Sequence, residues 1–161
     1  MAKPNKETKE ESKKELFSVF GEFDSYEEIN QAAAGLFAEG DMESLKQLAE
    51  ENGLEEDLQF YIDGATTELC DSITAAFGKL KVEKELAKGD YVTTAIIDYL
   101  EANCDDVELA LAIRKKGKRA ADMYKIIENE ARKNKKGNTG VCSDTRAFQL
   151  TREYYRGGVE G

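Results

Sequence analysis

A chain of 161 residues with 40% apolar and 35% charged side chains has a globular composition, with length for one helical domain or two small subdomains sharing a core. The absence of histidine excludes the usual general base at neutral pH, the commonest zinc ligand and every Ser-His or Cys-His nucleophile. That absence makes catalysis an unexpected role, and the net charge of −10 steers association and selects the sign of a partner.

The only proline is Pro4, so nothing downstream interrupts helical hydrogen bonding. An all-α fold is predicted, an irregular bundle of about eight to nine short helices joined by short spacers. Residues 1–8 read as a polar, fraying end, residues 9–88 as an acidic helical subdomain, and residues 89–161 as a helical subdomain with a basic C-terminal region.

In chain order, Leu16, Val19, Phe20 and Phe23 fall at i, i+3, i+4 and i+7 and predict a first amphipathic helix. Ser25 and Glu28 form a capping box that opens a second helix, with Ile29, Ala32, Ala33, Leu36 and Phe37 inward and Gly40 ending it. Asp41 caps a third helix carrying Leu45, Leu48 and Ala49, stopped by Gly53. A fourth, with Leu58, Tyr61 and Ile62, ends at Gly64.

Thr66 or Thr67 is expected to cap a longer helix with Leu69, Ile73, Ala76, Phe77 and Leu80 facing the core as far as Leu86. Asp90 opens the next, with Val92, Ala95, Ile96, Tyr99 and Leu100 inward. Asp105 with Glu108 repeats the capping pattern before Val107 to Ile113, expected to be the most buried stretch, closed by Gly117. Ala120, Met123, Tyr124, Ile127 and Ala131 mark one more helix. After a polar loop over 134–140, Ser143 caps the last, which carries Ala147, Leu150 and Tyr154.

Charge is distributed unevenly. Residues 21–78 hold 15 Asp and Glu against one basic residue, Lys46, whereas residues 114–161 hold 13 Lys and Arg against six acids. Carboxylates held on rigid helices imitate a phosphate array, and a protein with a cationic nucleic-acid channel is the partner such a surface selects. The residues concerned are Asp24, Glu27, Glu28, Glu39, Asp41, Glu43, Glu50, Glu51, Glu55, Glu56 and Asp57. The blander reading is a set of solvated helix faces that confer solubility. Two basic corners, Lys115, Lys116, Lys118 and Arg119, then Arg132, Lys133, Lys135 and Lys136, are candidates for nucleic-acid contact or for intramolecular neutralisation of the acidic block.

Other motifs fail on their own terms. Gly137-Asn-Thr-Gly140 has the G-x-x-G form of KH domains but no sheet to carry it. Gly78-Lys79 and Gly117-Lys118 lack the rest of a P-loop. The pairs Glu55-Glu56 and Asp105-Asp106 point about 100° apart on a helix and serve capping better than metal binding. Cys70, Cys104 and Cys142 make no C-x-x-C, so no zinc site, redox pair or cofactor is predicted. No apolar run reaches about 18 residues and the start lacks an h-region, so the expectation is a cytoplasmic protein with no membrane contact.

Asp122-Met-Tyr-Lys-Ile-Ile-Glu-Asn-Glu-Ala-Arg-Lys133, Gly140-Val-Cys-Ser-Asp144 and Ala147-Phe-Gln-Leu-Thr-Arg-Glu-Tyr-Tyr155 together resemble the end of the PcfK-like proteins of conjugative and mobile elements. There a helix beginning near an aspartate, a Gly-containing loop, a Ser/Thr-Asp cap and a helix ending in Tyr-Tyr follow one another. The likeness covers about 40 residues; the lysine-rich loop at 133–136 and the lack of an acidic run after Tyr155 depart from it. Phe20-Gly-Glu-Phe-Asp-Ser25 and Tyr61-Ile-Asp-Gly64 also look like segments of small proteins carried on mobile elements.

The family includes anti-CRISPR inhibitors of the type II RNA-guided DNA nuclease. The resemblance therefore implies a non-enzymatic anti-defence protein that binds this effector nuclease, with or without its guide RNA, through a DNA-mimicking acidic surface. A DNA-binding accessory protein of a conjugative element, acting through the basic C-terminal helices, is the alternative. An interaction module with no nucleic-acid link is a third.

Overall fold

The computed structural model describes residues 16–134 and 140–158. Among them are eight α-helices and no strand: α1 Tyr26–Ala38, α2 Met42–Glu51, α3 Glu55–Ile62, α4 Ser72–Leu86, α5 Tyr91–Asn103, α6 Val107–Arg114, α7 Met123–Lys133 and α8 Asp144–Tyr155. A single 3₁₀ turn, Ala120–Asp122, leads into α7. The expected all-α bundle is the observed fold, and none of the described helices is long and apolar enough to cross a membrane.

Local chemistry sets most of the starts. Ser25 Oγ accepts the Glu28 amide, and the Glu28 carboxylate reaches back to the Asp24 amide, closing the capping box one residue earlier than its usual target. Asp41, Asp90 and Ser143 cap α2, α5 and α8 as expected. Two caps differ. Asp71 starts α4, in place of Thr66 or Thr67, because residues 64–71 form a non-helical connection whose Cys70 N–H and C=O are both held by the Asn30 amide. Asp106, not Asp105, caps α6 and accepts from the Glu108 and Leu109 amides.

The helix expected through Leu16, Val19, Phe20 and Phe23 is absent over its described part. Leu16–Phe20 is a turn in which Phe17 has φ +57, the single positive φ outside glycine among the described residues. Phe17 is buried, Val19 is exposed, and the Glu51 carboxylate accepts the Val19 and Phe20 amides. A side-chain acceptor thus takes donors a helix would have used. Residues 1–8 and the start of that helix lie outside the described residues.

The core forms two clusters. Ile29, Leu45, Leu48, Leu54 and Tyr61 fill one under α1–α3; Leu80, Ile96, Ile97, Leu100, Ile113, Met123 and Tyr155 fill the other between α4 and α8. They divide inside α4, at Ala75 and Ala76, so the helix that packs hardest on α6 also belongs to the acidic half. Fully burying each large side chain contributes about 1.5–3 kcal/mol.

Several stripes sit one position from their expected place. On α5 the buried row is Thr93, Ile96, Ile97 and Leu100, with Ala95 and Val92 outside. Phe77, Val107 and Tyr124, expected inward, are exposed. At one place the backbone itself packs: Gly53, at φ +70, lies so near Gly78 of α4 that a Cβ on either would overlap the other segment's carbonyl oxygen.

Candidate functional site: the carboxylate surface and the ionic knot behind it

The acidic residues lie at helix ends, which explains their exposure. Asp24, Glu27 and Glu28 flank the start of α1; Glu39, Asp41 and Glu43 surround the α1–α2 turn; Glu50 and Glu51 end α2; Glu55, Glu56 and Asp57 form the first turn of α3. Nine of these eleven are exposed, and Glu51 and Asp57 are half-buried. α1 packs on α2 and α2 on α3, so all eleven carboxylates belong to one packed unit, Glu39, Asp41 and Glu43 at its α1–α2 turn and the others at the opposite ends of those helices.

Some are engaged. Asp41 and Glu28 cap, Glu51 holds the 16–20 turn, Asp24 accepts the Lys116 amide at 2.9 Å, and Glu55 stands 4.0 Å from Lys81. Glu27, Glu39, Glu43, Glu50 and Glu56 make no ion pair among the described residues. Burial raises the Asp57 carboxyl above its ordinary range, and the neighbouring Glu56 and Asp71 raise it further. Like charges are crowded at that end.

The first basic corner is turned inward. Lys118 donates to the Tyr154 carbonyl and lies 4.3 Å above that ring, while Arg119 grips Glu22; of the four, Lys115 and Lys116 are exposed. In the second corner Arg132 pairs with Glu128, Lys133 is exposed, and Lys135 and Lys136 lie outside the described residues, as does most of the Gly137–Gly140 motif.

Behind this surface lies a knot of charges that composition and spacing did not single out. Glu22 accepts from Arg119 Nη1 at 2.7 Å, Arg119 Nη2 at 2.9 Å and the Gly117 amide at 3.0 Å, with Lys79 Nζ at 3.0 Å. Lys79 has no exposed side-chain surface and also donates to the Lys115 carbonyl at 2.8 Å. Arg114 sends Nε and Nη2 to the Phe23 carbonyl, and the Phe17 ring sits 5.0 Å from its guanidinium and 5.3 Å from that of Arg119. Glu83 accepts the Ala120 amide at 2.7 Å; its second oxygen has no partner among the described residues and is sealed from solvent.

The charge states follow from this geometry. Burial opposes ionisation of Glu22, but the hydrogen bond from Arg119, the Lys79 charge and the Gly117 amide outweigh it and hold the carboxyl at about 2. Burial pulls the Lys79 ammonium down to about 8 against the pull of Glu83 and Glu22, and lowers Arg114 to about 10. Burial raises the Glu83 carboxyl, with the Lys79 charge opposing. The strongly perturbed groups here serve the fold, since together they tie the 17–24 segment to 114–119 and so unite the two halves of the charge distribution.

A 220 Å³ pocket beside the knot is lined by Glu83, Arg119, Asp90, Thr93 and Leu86 among others. Arg119 is committed to Glu22, and Asp90 and Thr93 bond to each other at 2.6 Å. No group of three Cys, Asp or Glu among the described residues is placed to hold a metal ion.

Lys79 and Glu83 were legible in one respect. They fall with Ala76 and Leu80 at i, i+3, i+4 and i+7, the core stripe of α4, and Arg114 extends the α6 stripe of Ala110 and Ile113. Ionisable residues on a buried stripe signal a buried ionic network. No protein-family model, curated protein or solved structure matches the chain.

Proposed function

We propose that this protein is a non-enzymatic inhibitor that binds the type II RNA-guided DNA nuclease, the carboxylates of α1–α3 occupying the cationic channel that receives nucleic acid. The observation that carries the reading is the surface itself: nine exposed carboxylates at the ends of three packed helices, with Lys46 the only cation between residues 21 and 78. Such a field raises the rate of encounter with a cationic channel and repels nucleic acid from this half of the protein. The resemblance of the C-terminal segments to PcfK-like proteins supports the same partner and a bacterial cytoplasmic setting.

The competing reading, DNA binding through the basic C-terminal helices, is weakened by the commitment of Arg119 and Lys118 to internal partners. One experiment separates them. Guide-programmed nuclease is incubated with target duplex and rising amounts of the protein, and direct binding of the protein to bare duplex is measured at low salt. Inhibited cleavage without duplex binding is the expected result; undiminished cleavage at large excess of the protein removes the proposal.

A further inference from the structure

The acidic surface has an apolar seat. A groove of 330 Å³ between α2 and α3 is lined by the apolar Met42, Ala49, Leu58 and Ile62 and by the polar Glu50, Glu55, Lys46 and Gln59. Met42 keeps 40% of its surface exposed there. Ala49 belongs to the buried core and Leu58 and Ile62 pack against it, so Met42 is the apolar side chain that the groove leaves most open to a partner.

We propose that this groove binds a basic amphipathic helix presented by a protein partner. Apolar residues at i, i+3 or i+4, and i+7 of that helix would lie on the apolar lining while its lysines and arginines meet Glu50 and Glu55. Charge selects the occupant: Glu50 and Glu55 line the groove with Lys46 as the one cation, and Glu43, Glu56 and Asp57 stand on the same two helices outside it, so the surrounding field stays negative and a neutral or acidic helix gains little. Size agrees as well. α2 and α3 have ten and eight residues, giving a trough of about 12–15 Å that roughly three helical turns fill. The inference rests on the carboxylate surface being the contact face and names the kind of element it contacts.

The test uses the full chain and two labelled leucine-lysine peptides of about 14 residues and identical composition. One has leucines at helical spacing; the other is scrambled. The expected result is that the ordered peptide binds at least about tenfold tighter, the factor one seated apolar side chain supplies, and persists at high salt. Methyl signals of Met42 and Ile62 in the unaltered protein should shift on titration, and Met42→Ser should weaken the ordered peptide alone. Equal affinities lost together at high salt overturn the proposal in favour of charge alone. A concentration-dependent dimer that perturbs the same methyls without peptide overturns it in favour of a second copy. The nuclease assay is read separately: inhibition lost on neutralising the carboxylates but kept in Met42→Ser leaves the inhibitor reading standing and removes the groove, whereas no inhibition by the unaltered protein removes that reading and leaves the peptide result intact.

Discussion

Glu22 and Arg119, 97 positions apart, meet as a bidentate ion pair at 2.7 and 2.9 Å. The pair is largely removed from water, with 8% of the Glu22 side chain and 27% of the Arg119 side chain exposed. One acid from the negative half thus fastens the positive half, while most other carboxylates stay outside.

Glu22→Gln should be the most damaging single polar change, because it removes the carboxylate that Lys79 and Arg119 share and leaves Glu83 alone to balance the buried Lys79 beside Arg114 and Arg119. Removing one partner of a buried pair costs about 3–5 kcal/mol, and the ability of Lys79 to lose its proton places this site near the lower end. Urea unfolding should show an earlier midpoint with an unchanged slope. Adding Lys79→Met should recover part of the loss; a double variant as unstable as the sum of the singles would contradict the pairing.

Stability should pass through a maximum on the acid side of neutrality. The Glu83 carboxyl is raised in the fold, so the native state binds more protons than the unfolded chain and stability increases as pH falls toward about 4.5. The Glu22 carboxyl is depressed to about 2, so its contribution is present above about 4.5 and is lost as pH falls toward 2. Thermal unfolding across this range should show the maximum, and Glu83→Gln should flatten its neutral limb while leaving the acid limb.

Phe17→Ala should cost about 3 kcal/mol, the usual loss for a buried aromatic, although the residue lies in a turn. Beyond burial, its ring faces two guanidiniums. A double-mutant cycle with Arg114→Met should return a coupling of about 0.5–2 kcal/mol. A coupling near zero would assign the whole effect to packing.

Replacing Glu27, Glu39, Glu43, Glu50 and Glu56 by Gln changes the net charge from −10 to −5 and touches no described ion pair. Thermal stability should hold or rise as self-repulsion falls, while inhibition of the nuclease should be lost. Lys115→Ala with Lys116→Ala should leave inhibition in place. The reverse pattern would move the contact to the basic end.

The helices were legible because their punctuation is local. Ser25, Asp41, Asp90 and Ser143 each satisfy an amide three residues on, and no distant contact is needed to see it. The Leu16–Phe23 stripe failed for the opposite reason. Its periodicity suits a helix, but Glu51 claims two of its amides and two distant arginines lie against Phe17, interactions spanning 31 to 102 positions. The carboxylate surface could be read from composition because charges at helix ends remain exposed. The knot behind it needed the fold, since nothing local joins Glu22 to Lys79 or Arg119.

The Gly53–Gly78 contact governs where the chain tolerates foreign sequence. With two backbones touching, a reporter spliced into the α2–α3 turn would have to part α4 from its neighbour, whereas Ala65–Thr67 is exposed and touches no such seam. Epitope tags and circular-permutation termini belong in that connection, where they can follow the protein in cells without displacing α4.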